Sequence, residues 1–238
     1  MIQRYIVGAY WPSRKETLDH CAARLQQFFV ELEASDPAFL NWYERGRSRK
    51  DAVEKRVNAT DIQYLRGLLD RGRNRRDVDH AIMEELGFRI GVWNGARDLK
   101  EAGINIACGL HWEDKQKRTT LYNSIVVDLP KELGDLKLYE NIIKLVRAMV
   151  RVWEPSWAGV MSKNAMVERD FDPARPFVDW IVYVNKRINL PTTLCHAVEY
   201  IDQGTIIVVH PTPPSVDNTD ETSRIRQVDH ALRQALVS

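Results

Sequence analysis

Three segments decide the fold: LGFRIGVWN (residues 86–94), GINIACGLHW (residues 103–112) and SIVVDL (residues 124–129). Each is rich in β-branched and aromatic residues, and short Gly- or charge-containing links join them. That pattern predicts three strands in an antiparallel meander. Upstream, RYIVGAYW (residues 4–11) has strand composition, and Pro12-Ser13 then opens a helix over residues 15–34. Leu18, Cys21, Ala22, Leu25, Phe28, Phe29 and Leu32 recur there at three- and four-residue intervals, so one face is apolar. Asp36-Pro37 stops that helix, and Trp42-Tyr43-Glu44-Arg45-Gly46 follows as an aromatic loop or short turn. A second helix is expected over residues 60–70, capped by Asn58 or Thr60 and stopped by Gly72.

Downstream, residues 139–152 (YENIIKLVRAMVRV) carry a broad apolar face and end at Glu154-Pro155, which reads as a buried helix. Further strands are expected at residues 157–162, 179–185, 197–201 and 204–210, with Asp202-Gln203-Gly204 as a hairpin turn. A loop with three prolines leads to a C-terminal helix over residues 223–236. Strands and helices alternate in blocks, which is an α+β pattern, mainly antiparallel sheet or sheets flanked by helices. The order also admits two similar halves, residues 1–130 and 131–238, joined near Pro130.

With 238 residues and 44% apolar composition, the chain can bury a core without disulfides or metal. No run of about eighteen apolar residues exists, and the N-terminus reads as a strand, not a leader, which places the chain in the cytoplasm. Cys21, Cys108 and Cys195 are odd in number and far apart, the usage of free thiols in a reducing compartment. Charge is uneven. The tract that begins at Arg45 and ends at Arg76 holds eleven Lys or Arg against four acids, +7 locally, while the whole chain balances at +1. Such asymmetry suggests nucleic acid, a membrane or an acidic partner. The overall pI of about 7.7 weakens the nucleic-acid reading, for which domain values above about 9 are usual.

Catalytic signatures are missing. Six histidines sit apart without metal-ligand spacing, and no P-loop, nucleophile elbow or dinucleotide fingerprint occurs. Glu168, Asp170 and Asp172 read as a solvated loop, and Cys195-His196, adjacent on a strand, face opposite sides. No catalytic residue, metal or cofactor is therefore assigned, and the chain is not read as an enzyme. Seven tryptophans stand out instead. Trp11, Trp42 with Tyr43, and Trp93 border the basic tract or its flanks, and Trp, Tyr and Arg dominate interface hot spots. Together with the cluster Arg73, Asn74, Arg75 and Arg76 they form the expected partner-binding set; core packing of the tryptophans and a network pinning residues 73–77 to the sheet are the alternatives.

Ile6-Val7-Gly8-Ala9-Tyr10-Trp11, Arg14, Glu16, Cys21-Ala22, Asp36-Pro37, Trp42-Tyr43, Gly46-Arg47-Ser48-Arg49, residues 72–77 (GRNRRD), Leu86-Gly87-Phe88 and Trp93-Asn94-Gly95 together resemble the immunity protein 52 family. Residues 180–183 (WIVY) and 203–208 (QGTIIV) continue the likeness, which spans nearly the whole chain. It implies one immunity-protein domain over residues 1–238. It also implies an antitoxin that binds and neutralises a cognate toxin encoded by an adjacent gene, such as a type VI secretion effector with a restriction-endonuclease-like nuclease domain. Occlusion of the toxin in the cytoplasm, without turnover, would be the mechanism. Two contact modes follow. Acidic patches, Glu31-Glu33-Asp36, Glu84-Glu85 or Asp217-Asp220-Glu221, would meet a basic groove, or arginines would pair with the carboxylates of a nuclease site. The other class is a nucleic-acid-binding module built on the Arg45 to Arg76 tract, whose affinity would fall steeply with salt.

Overall fold

The computed structural model describes residues 3–46, 48–112, 121–215 and 217–237. Nine strands, β1 (Tyr5–Trp11), β2 (Tyr43–Glu44), β3 (Phe88–Trp93), β4 (Gly103–Cys108), β5 (Asn123–Asp128), β6 (Trp157–Ser162), β7 (Ile181–Val184), β8 (Ala197–Ile201) and β9 (Gly204–Val208), form one sheet. Its order is β2-β3-β4-β5-β1-β6-β7-β9-β8 and every pairing is antiparallel. The meander β3-β4-β5 is as expected, and of the two arrangements the halves allowed, the chain takes a single continuous sheet. β1 is the seam: Val7 lies opposite Val127 on one side and Val160 on the other.

Among the described residues six α-helices flank the sheet: α1 (Leu18–Ser35), α2 (Arg49–Val53), α3 (Ile62–Arg71), α4 (Tyr139–Trp153), α5 (Lys163–Glu168) and α6 (Thr219–Val237). On the first face, α1, α3 and α4 bury Leu25, Phe28, Phe29, Leu65, Val146 and Trp153 against Val7, Ile104 and Val127. Fully buried Leu and Phe side chains of this kind contribute roughly 1.5–3 kcal/mol each. On the second face, Ile225, Val228 and Leu232 of α6 cover Tyr10, Met161, Val182 and Ile207. A pleated strand sends alternate side chains to opposite faces. β6, β7 and β9 are covered on both, so all their residues are buried; β3, β4 and β5 are covered on one, so theirs alternate between buried and half-exposed.

Local chemistry explains the boundaries that differ from expectation. α1 begins at Leu18 because the Thr17 hydroxyl accepts the His20 N–H. α3 is capped by Asp61, whose carboxylate accepts from Gln63 and Tyr64, and not by Asn58 or Thr60; Gly72 does end it. Asn58 instead accepts the Thr60 hydroxyl. Asn218 accepts from the Asp220 and Glu221 N–H groups, so α6 starts at Thr219, a turn before the expected Ser223. The aromatic segment after Pro37 is not merely a loop, since Tyr43 and Glu44 pair with Trp93 and Val92 as an edge strand.

Candidate functional site

Two of the expected partner residues lie in the core. Trp11 is 2% exposed and stacks on Trp153, with ring centroids 5.7 Å apart; Trp42 is 3% exposed and stacks on Phe39 at 6.1 Å. Their place at a surface is therefore corrected: the large apolar rings fill the space between the sheet and α1, which leaves them no exposed area. Arg73 and Asn74 lie against the sheet. The Arg73 guanidinium pairs with Asp70 at 2.8 Å and sits over the Phe88 ring, and the Asn74 amide donates to the Leu86 carbonyl at 3.2 Å. Arg75 and Arg76 are exposed on the following loop, where Arg75 donates to the His80 carbonyl and Arg76 faces Asp79 at 3.6 Å.

The basic tract does not form one surface. Arg47 lies outside the described residues. Lys55 pairs with Asp51, Arg66 with Asp19 and Arg71 with Glu44, each at 2.8 Å. Arg66 thereby ties α3 to α1 and Arg71 ties α3 to β2, while the Lys55 pair is local to the end of α2. Arg56 donates to Asn41 Oδ1 beside the first face.

Tyr43 and Trp93 do come together, on the second face where α6 does not reach. Reading across the strands by register, this open half consists of three rows. Arg89 lies beside Ala107 and Ser124, Gly91 beside Asn105 and Val126, and Trp93 beside Gly103 and Asp128, with Tyr43 next to Trp93 on the edge strand. Arg89 is exposed and the others are half-buried. Among the described residues no long helix covers these rows; Arg49 of α2 reaches over Trp93, and Val126 borders the core under α6. The Tyr43 and Trp93 rings tilt at 52° with centroids 6.4 Å apart. Arg45 lies over Gly91 and donates to Asn105 Oδ1 at 2.8 Å. A Cβ at Gly91 would stand 3.0 Å from Arg45 Nε, so the missing side chain leaves the room in which the guanidinium lies flat. Arg49 donates to the Gly95 carbonyl at 3.1 Å, with its guanidinium 5.9 Å from the centre of the Trp93 ring. At the lower rim a cleft of about 280 Å³ is lined by Arg4, Trp93, Asp98, Glu101, Asp128 and Lys163, with Lys163 paired to Asp128. Arg45, Arg49, Arg89 and Asn105 were absent from the expected set. The alternation Arg89-x-Gly91-x-Trp93 already places Arg89 on the same strand face as Gly91 and Trp93.

A second polar cluster lies under α6. Asp179 accepts the Ser162 N–H at 2.7 Å and faces Arg169 at 3.5 Å, at the base of a cavity of about 310 Å³ that also reaches Glu168 and Arg226. Burial pushes the Asp179 carboxyl up to about 6, against the pull of the Ser162 N–H and Arg169. Ser162 also caps α5 through its hydroxyl, so this cluster fastens β6, α5 and β7 together. Cys195 packs under α6 while the His196 ring meets Tyr139 of α4, so the two side chains lie on opposite sides of the sheet although both precede β8. Among the described residues, no three His, Cys, Asp or Glu side chains are arranged to hold a metal, and no helix is long and apolar enough to cross a membrane.

The fold and this face define an α+β protein whose sheet is closed at one end and presented at the other. The family model of immunity protein 52 matches residues 3–237, so the chain belongs to the immunity protein 52 family. Among solved structures, a Pseudomonas aeruginosa T6SS protein, PA0821, has a similar fold, with a TM-score of 0.60 at 15% identity over 98% of this chain and 73% of that one. None of the curated proteins matches.

Proposed function

We propose that the chain neutralises a cognate toxin, a nuclease effector of an interbacterial secretion system, by occluding its working surface in a stable complex without turnover. The observation that carries this reading is the half-open sheet: a strip of small and polar residues edged by Tyr43 and Trp93, on a protein whose family is one of immunity proteins. Contact surfaces that bind tightly place aromatic and arginine anchors on a rigid floor, and a sheet face backed by a full layer of helices supplies that floor. The toxin is the product of an adjacent gene and acts in the cytoplasm, where this chain meets it. Co-expression tests the reading. The wild-type chain should relieve the toxicity of the neighbouring gene product and remain bound to it through gel filtration; undiminished toxicity with the chain in molar excess would reject it.

The nucleic-acid alternative has weaker support. The tract that suggested it is divided between both faces and largely tied to Asp19, Glu44, Asp51 and Asp70.

A further inference from the structure

Five cations of the tract differ from those of the open face in what holds them, while Arg56 and Arg75 meet the neutral oxygens of Asn41 and His80 away from this face. Lys55, Arg66, Arg71, Arg73 and Arg76 each face a carboxylate, so their charge is answered within the chain. Arg45 and Arg49 are instead held by neutral groups, an Asn105 amide oxygen, a Gly95 carbonyl and the Trp93 ring. Among the described residues, Arg89 has no ionic partner at all. A guanidinium bonded to a neutral acceptor keeps its net charge and several of its five N–H donors, while losing the rotamer freedom that binding would otherwise cost. Arg89, Gly91 and Trp93 alternate along β3, so the three cations and the indole share one strip.

We propose that this strip, Arg45, Arg49 and Arg89 over Gly91 and beside Trp93, is a docking site for a carboxylate-rich surface of the toxin. This rests on the antitoxin reading above and names the chemistry of its partner. Charge complementarity selects that occupant. A second copy seated about a two-fold axis through the strip would set the same three arginines against their own images, which is repulsive. A nucleic-acid strand would leave the three cations for a lower rim of mixed charge, Asp98, Glu101 and Asp128 with Arg4, Lys131 and Lys163, which offers phosphates no continuous attraction. A protein surface can match both signs, acids to the arginines and a base to the rim.

Calorimetry of the chain with the adjacent-gene toxin tests this, using Arg45→Glu/Arg49→Glu/Arg89→Glu against the control Arg66→Glu, whose target lies on α3. The triple reversal should weaken binding roughly 100-fold or more, the range set by losing desolvated charge pairs, while the control stays within about threefold. Gly91→Val changes no charge but displaces Arg45, and should weaken binding by about tenfold with unchanged thermal stability. A triple reversal that binds like wild type would overturn the docking site while leaving the antitoxin reading intact; a wild-type chain that fails to bind the toxin would remove both. Wild-type protein is also titrated with a duplex DNA oligomer and run alone in analytical ultracentrifugation. DNA binding lost in the triple reversal, or a dimer that the reversal dissociates, would assign the strip to those occupants and overturn the proposal.

Discussion

The two ends of the sheet are built from the same antiparallel ladder and differ in how many faces are covered. At the end formed by β6, β7 and β9, both faces carry helices and the strands read as continuous apolar runs, WAGVMS, IVYV and GTIIV. At the end formed by β3, β4 and β5, only the first face is covered. There the second face is set with Gly91, Gly103, Asn105, Ala107 and Ser124, between Arg89 and Trp93. Covering one face of a sheet suffices for a core. What the uncovered face displays is then free to serve a partner, and here it displays small residues, aromatics and arginines held by neutral groups.

If that division is real, mutations should separate stability from binding along the sheet. The largest effect on stability is expected at the closed end. Trp180 is fully buried, meets Tyr5 edge-on and donates its indole N–H to the His210 carbonyl. Trp180→Ala should cost about 3–5 kcal/mol in a denaturant titration. Trp93→Ala at the open end should cost less than about 1.5 kcal/mol because its ring is half-exposed, yet weaken the toxin complex. Equal stability losses would erase the distinction.

A comparable loss is expected where α1 meets α4. Glu16 is buried with its carboxylate 3.0 Å from Arg24 Nε and 3.3 Å from Arg14 Nε. Both arginines in turn bond carbonyls at the C-terminal end of α4, Arg24 at Val152 and Arg14 at Trp153, where their charge also suits the helix dipole. Glu16→Ala leaves Arg14 without a carboxylate and Arg24 with only the exposed Glu154, and should cost roughly 3 kcal/mol by chemical unfolding. Recovery in Glu16→Asp would show that charge alone suffices, and a persistent loss that geometry matters as well.

Much of this architecture was legible in the sequence. Nearly every strand and long helix follows from apolar period and from punctuation by Gly, Pro and Asp. β2 was not, because two residues carry no period; it exists because Trp93 and Val92 offer it an edge. Tryptophan positions misled for a related reason. Trp11 and Trp42 border the basic tract in sequence as Trp93 does, but only a third dimension decides which rings lie under α1. The arginine strip was hidden likewise, since Arg45 meets Gly91 and Asn105 across separations that no local pattern encodes. The unbroken pairing of β5, β1 and β6 leads us to propose that residues 1–238 fold as one unit, with a single unfolding transition by fluorescence and circular dichroism alike.

A smaller effect should appear with pH at the closed end. Asp179 titrates near 6 in the fold, above the value of about 3.9 for an unfolded chain. Between those values the folded state holds more protons than the unfolded one, so this group's contribution to stability falls as pH rises from about 4 to about 6 and is flat above. Asp179→Asn removes that dependence. The stability difference between wild type and variant should shift toward the variant by about 2 kcal/mol over that interval, measured by thermal melts at matched ionic strength.

Side-chain footprinting of the chain, free and bound to the adjacent-gene toxin, tests the division of the sheet most directly. Tyr43 and Trp93 on the open face, and Tyr200, 52% exposed on the opposite edge strand, are all reachable by hydroxyl radicals in the free protein. Bound toxin should protect Tyr43 and Trp93 several-fold and leave Tyr200 unchanged. Protection of Tyr200 with Tyr43 and Trp93 still fully reactive would place the contact at the closed end and contradict the role assigned to the open face.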